Sequence, residues 1–255
     1  MRRIIVLSFC FVMALALASP ARAGNVTYNF GPSGSLSASV QFVTVGSQLT
    51  ITVTNTGGDA LVPADILTAL FYNCTGCGTL APSSATTSGA TYLGATLVSG
   101  SGTNVGGEWA YAAGFGGGPG GATQGISSSG FGFFGDSNFN GPNLDGPAAV
   151  NGLNYGIVSG TDNTGTGNNG VTSVPLTHHD VVFVLTSTIN IDNATFSNVS
   201  VQYGTALTEP NLGGGSGGGS GQTLVPEPTS LLLFGSGLAV TAYRARRKKQ
   251  QQKDS

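Results

Sequence analysis

The chain has 255 residues, 42 of them glycine, and a formal net charge of −2 from nine basic and eleven acidic side chains. Every lysine and arginine falls before Gly24 or after Tyr243, and residues 24–212 are about −9, from Asp59, Asp65, Glu108, Asp136, Asp145, Asp162, Asp180, Asp192 and Glu209. A long segment without one cationic side chain excludes contact with DNA, RNA or anionic lipid through lysine and arginine, because nothing there can displace phosphate counterions.

The first 23 residues read as a secretory signal peptide. Arg2 and Arg3 precede an apolar run over 4–18, and Ala21-Arg22-Ala23 supplies small residues at the cleavage positions. The alternative is an uncleaved N-terminal helix. On the first reading Gly24 becomes the mature N-terminus.

From Gly24 onward the period is two. Val26, Tyr28 and Phe30 alternate with polar residues, as do Leu36, Ala38, Val40 and Phe42. Residues 49–54 alternate apolar and hydroxyl side chains, and Asn55-Thr56-Gly57-Gly58 turns the chain. Further short strands are predicted at 66–72, 92–98, 109–113, 131–134 and 153–158. Strands at 181–191 and 195–203 close the domain around Asp192-Asn193. Only 65–70, after Pro63, competes as a helix. The glycine-rich stretches 114–121 and 161–170 are predicted as loops. Many short strands with Gly-rich and Asn-rich turns imply an all-β domain, an antiparallel β-sandwich or jelly roll, over 24–211. Its length suits one domain with a real core. Residues 212–224 then read as a flexible Gly/Ser linker.

Within the domain, Cys74-Thr75-Gly76-Cys77 is the remaining cysteine pair once Cys10 leaves with the signal peptide. In an exported chain an even count favours a disulfide between Cys74 and Cys77. A zinc site would need two more ligands, and no second C-x-x-C exists. Asp136, Asn138 and Asn140, followed by Gly141, match the first half of a calcium loop. Position twelve is Pro147 where a glutamate is needed, and Asp145 stands at position ten. The competing reading is a turn in which Asx side chains bond their own backbone. No other cofactor is expected. Asp162 sits alone in its loop and reads as a turn residue. On a strand His178 and Asp180 share a face with His179 opposite, two ligands without a third, and the imidazoles are expected to be solvated. Glu108 beside Trp109, the single tryptophan, matches half of a glycosidase pair, and Trp109 with Tyr111 also fits a core stripe. With no serine elbow, Cys–His pairing or phosphate loop, the expectation is a protein that is not an enzyme.

The tail has three ordered parts. Val225-Pro226-Glu227-Pro228-Thr229 is held extended by its two prolines. An apolar stretch over 230–243 follows, and then Arg244, Arg246, Arg247, Lys248 and Lys249. The span over 229–243 is roughly 22 Å of helix against a hydrocarbon core of ~30 Å. Such a short transmembrane helix suits a temporary stop, with the basic cluster retained on the cytoplasmic side. Motif, span and basic stop over 225–249 resemble the PEP-CTERM sorting signal of Gram-negative surface proteins. The resemblance implies an exosortase as partner, transient attachment to the inner membrane, and export to the cell surface or extracellular matrix. It also implies association with exopolysaccharide in a biofilm or floc. A secreted glycan-binding or glycan-active protein using the same route is the alternative.

Overall fold

The computed structural model describes residues 24–134 and 152–213. Its first three strands, β1 (Gly24–Ser33), β2 (Leu36–Val45) and β3 (Gln48–Asn55), form an antiparallel meander. Alternation drives them together. In β2, Leu36, Ala38, Val40 and Phe42 point inward, and in β3 Leu49, Ile51 and Val53 do the same. The sheet is completed by β12 (Asp180–Ser187), which pairs β3, and by β5 (Leu80–Thr87) at the far edge.

The second sheet has nine strands and is built on β4 (Leu67–Thr75). One flank of β4 pairs β13 (Thr195–Tyr203), which in turn carries β14 (Asn211–Gly213). The other flank pairs β9 (Gln124–Ser127) and, at Leu67, β10 (Ile157–Val158). Beyond β9 lies β8 (Ala110–Ala113). Beyond β10 come β11 (Pro175–His178), β6 (Thr91–Leu93) and β7 (Thr96–Ser99). The β10–β11 pair is parallel and the others are antiparallel.

Both sheets feed one core. Phe42 of the first sheet stacks on Phe196 of the second with centroids 4.2 Å apart and meets Tyr72 edge-on at 5.3 Å. The Tyr28 hydroxyl donates to the Phe196 carbonyl, and that of Tyr203 donates to the Ser37 carbonyl. The described residues are thus all-β in class, with mainly antiparallel sheets.

Several expectations are corrected. Residues 131–134 form a turn, with Phe131 at φ 48°, and not a strand. Phe115, Phe131, Phe133 and Phe134 all pack against Phe71, so these glycine-rich segments cover the outer face of β4. The 92–98 strand is a hairpin, split into β6 and β7. Of 153–158 only 157–158 is strand. The 181–191 strand stops at Ser187, and it lies in the first sheet whereas β13 lies in the second. After Pro63 the chain makes a single 3-10 turn (Pro63–Asp65) and then enters β4, because residues 67–72 are buried on both faces. The 161–170 loop runs into one helical turn, Asn169–Thr172, capped by the Asn168 side chain. Strands β5, β9, β11 and β14 were not predicted, and β14 carries the folded chain through Gly213.

No helix of the described residues is long and apolar enough to cross a membrane. The predicted transmembrane helix, the signal peptide and nearly all of the linker lie outside the described residues.

Candidate functional site

Of the residues singled out by sequence, the sorting motif Val225–Thr229, the basic stop at 244–249 and the calcium candidates Asp136, Asn138, Asn140 and Asp145 lie outside the described residues. Among the described residues no group of three His, Cys, Asp or Glu side chains could hold a metal ion.

Cys74 and Cys77 are joined as a disulfide, with Cα atoms 5.8 Å apart. Gly76, at φ +82°, lets the chain turn between them. Cys77 is buried, and its carbonyl accepts a bond from the Ser187 hydroxyl at 2.6 Å. The bridge closes the turn after β4, and the Ser187 hydrogen bond ties that turn to the end of β12.

The two histidines mark a crossing between sheets. His178 ends β11 in the second sheet and Asp180 begins β12 in the first. His179 makes the crossing at φ 76°, its N–H donating to Val158 and its carbonyl accepting from Asn55. Asn55 adds a second tie, donating from Nδ2 to the Ile157 carbonyl at 2.9 Å. His178 and Asp180 are both buried, and His179 is exposed. The expected solvated pair is thus half wrong, because a strand that changes sheets buries the residues on either side of the crossing. Burial holds the His178 pKa below its ordinary value, while the Asp162 carboxylate acts in the opposite direction. A cavity of about 10 Å³ beside His178, lined also by Tyr92, Asp162 and Val171, has room for little more than a water. Asp162 does more than turn a loop: its carboxylate accepts the Ala60 N–H at 2.6 Å and pins the 161–170 segment.

Ser88, His179 and Asp180 come close without forming a relay. The Ser88 hydroxyl lies 3.5 Å from His179 Nδ1, and Asp180 Oδ1 lies 3.3 Å from the same nitrogen. A nucleophile–base–carboxylate arrangement uses opposite ring nitrogens.

One site with room for a ligand is an open groove of about 430 Å³, lined by Val98, Ser99, Thr103, Asn104, Glu108 and Tyr155 among others. Three pieces of backbone assemble it. The end of β7 brings Val98 and Ser99. The 103–105 segment lies along the edge of β5, through Thr87 N–H to the Thr103 carbonyl and Val105 N–H to the Ala85 carbonyl. A 3-10 turn, Gly106–Glu108, then lifts Glu108 into the groove. Tyr155 arrives from the turn before β10, held at φ 59° by a 2.6 Å bond from its N–H to the Pro175 carbonyl. A tyrosine in the left-handed region is uncommon and needs such support.

Glu108 and Trp109 part company. Trp109 is 1 % exposed and meets Phe183 at 5.0 Å, so it is core. Tyr111 is half-buried and packs against the core; its hydroxyl donates to Gln124, and burial pushes its pKa up to about 12. Glu108 is half-buried, and desolvation raises its pKa. Burial raises that of Tyr155 too, with the Glu108 carboxylate adding to it. The Ser99 hydroxyl oxygen is buried with no partner among the described residues. Tyr155 was missed by sequence reasoning, and no signal could have found it, since 153–158 reads as an ordinary apolar strand.

The family model of the PEP-CTERM protein-sorting motif matches residues 224–248. The chain therefore ends in a PEP-CTERM sorting signal, which implies export to the cell envelope or surface and processing by an exosortase. No curated protein and no solved structure matches the chain.

Proposed function

We propose that the exported domain is a structural or adhesive component of the extracellular matrix, and not an enzyme. An exosortase delivers it to an exopolysaccharide-rich biofilm or floc. Its signal peptide and short transmembrane helix serve only transit, and its folded part is a β-sandwich. The observation that carries this reading is the outer face of the first sheet. Across its five strands, one row runs Thr27, Gln41, Thr52, Val182, Thr86. The next runs Asn25, Val43, Thr50, Val184, Ser84. These two rows contain hydroxyls, amides and valines and no charge. Such a surface makes many weak contacts to hydrated, uncharged polymer chains. An acidic polysaccharide is a poor partner, because the domain is itself about −9 and like charges repel within a Debye length of ~10 Å. Hydrolysis of a glycan would need a second carboxylate ~5–10 Å from Glu108, and none lines its groove among the described residues.

Sequential extraction of matrix tests the reading. The protein is expected to stay in the matrix through moderate salt and through chelator. Release by salt alone would overturn uncharged adhesion, and release by chelator alone would point to a calcium bridge through 136–145. Delivery is tested separately. Changing Pro226 and Glu227 to Ala is expected to leave unprocessed protein in the membrane, and normal release of that variant would refute sorting through the motif.

A further inference from the structure

We propose that the groove between Glu108 and Tyr155 is a binding site for a neutral, hydroxyl-rich sugar unit; this rests on the adhesive reading above and gives it a specific contact. The groove's own chemistry selects the ligand class. Its volume of about 430 Å³ lies within the range of small-molecule sites. An anionic ligand finds no partner, since the domain holds no lysine or arginine. An apolar ligand finds little apolar wall, for Val98 and Val105 stand among Ser99, Thr103, Asn104, Glu108 and Tyr155.

The remaining choice is between a cation and a polyol, and the unpartnered groups decide it. Glu108 makes no side-chain hydrogen bond among the described residues, and its ionised carboxylate accepts only. Asn104 uses Oδ1 to accept the Gly106 N–H at 2.9 Å, which leaves its NH2 group to donate. A ligand that satisfies both must donate to Glu108 and accept from Asn104. An ammonium has three donors and no acceptor. A sugar hydroxyl offers both in one group, and adjacent hydroxyls repeat the offer. Tyr155 adds an aromatic ring to the lining, a group on which the apolar C–H faces of a sugar can pack.

NMR titration of the full chain tests the assignment, with cellotriose and isomaltotriose as neutral probes and the chitosan trimer as a cationic control. The neutral trisaccharides are expected to shift amides at 103–108 and at Tyr155. Glu108→Ala is expected to weaken binding about tenfold, as for loss of a hydrogen bond to a charged group. Glu108→Gln, which keeps a carbonyl acceptor, is expected to stay within about threefold of the parent. Tyr155→Phe leaves the ring in place and checks that the groove still folds. Three results would overturn the proposal: no shift with either neutral probe, shifts confined to residues outside the groove, or tighter binding of the chitosan trimer that Glu108→Gln abolishes. Any of them would leave the adhesive reading to the salt extraction, which does not depend on Glu108.

Discussion

The two sheets bury their strands in different ways. The five-stranded sheet keeps one face in the core, while the rows through Gln41 and Thr50 on the other stay half-exposed. The nine-stranded sheet has at its centre a strand buried on both faces: residues 67–72 of β4 are all inside. One side of β4 sends Tyr72 toward the first sheet, and the other sends Phe71 into a cover of phenylalanines. A one-faced sheet is stabilised by a single core. A two-faced strand also depends on whatever covers it, and here the cover is glycine-rich chain with aromatic side chains.

The sharpest way to break that contrast is to delete one aromatic from each side. Phe42→Ala empties a fully buried site shared by both sheets and is expected to cost about 3–5 kcal/mol. Phe133→Ala removes a half-buried cover residue and is expected to cost about 1–2 kcal/mol. Urea midpoints of the two variants measure both, and equal losses would mean that the cover is as rigid as the core.

The disulfide ranks next. Its loop is very short, so replacing Cys74 and Cys77 by Ser is expected to cost about 2 kcal/mol. Because Ser187 at the end of β12 donates to the carbonyl of the bridged Cys77, amide exchange should quicken at the ends of both β4 and β12. Alkylation before reduction is expected to label no thiol in the native protein, and two labelled thiols would contradict the bond.

The smallest effects are those of pH. His178 has a folded pKa below its unfolded value of about 6.5, so the unfolded state takes up its proton first. Its contribution is complete above that value and is lost as pH falls toward the depressed folded pKa. Glu108 has the opposite sign, since its raised folded pKa makes the unfolded state ionise first. Its burial therefore costs stability as pH rises past about 4.3. Glu108→Gln is expected to raise the urea midpoint slightly at pH 7 and to leave it unchanged at pH 3. His178→Gln is expected to flatten the decline below pH 6.5. A gain from Glu108→Gln that persists at pH 3 would show that it arises from packing and not from charge.

The same contrast governs what could be read from the sequence. β2 and β3 were legible because one face in water writes a period of two into their residues. β4 was legible as a continuous apolar run, although the run alone left a helix in contention at 65–70. Strand β5 was hidden by Pro82 and by small residues, with Leu80 its one large buried side chain. Strand β9 was hidden by Gly125, where an added Cβ would lie 2.6 Å from the Leu70 carbonyl; close approach, and not side-chain pattern, places it. Phe131 to Phe134 looked like a strand because a covering turn needs the same aromatics as a buried strand. In the groove, Glu108 was visible and Tyr155 was not, since their meeting depends on a left-handed turn that no residue type announces.

Strand β14 has a mechanical consequence. The folded chain leaves for its C-terminal tail through Asn211–Gly213, a three-residue edge strand held on β13 by the pairs Ser200–Gly213, Val201–Leu212 and Gln202–Asn211. A pull along the tail loads these pairs one after another, starting at Gly213, so each yields at about the strength of a single hydrogen bond, ~1 kcal/mol. The peeling then meets Gln202, whose amide reaches the carbonyls of Ala206, Glu209 and Pro210 at 3.2, 3.0 and 3.2 Å. Glu209 closes the same loop by accepting from the Thr205 and Ala206 N–H groups. Tension on the tail thus frees three residues, about 10 Å of extended chain, and meets the Gln202 clamp before it reaches β4 and the aromatic core.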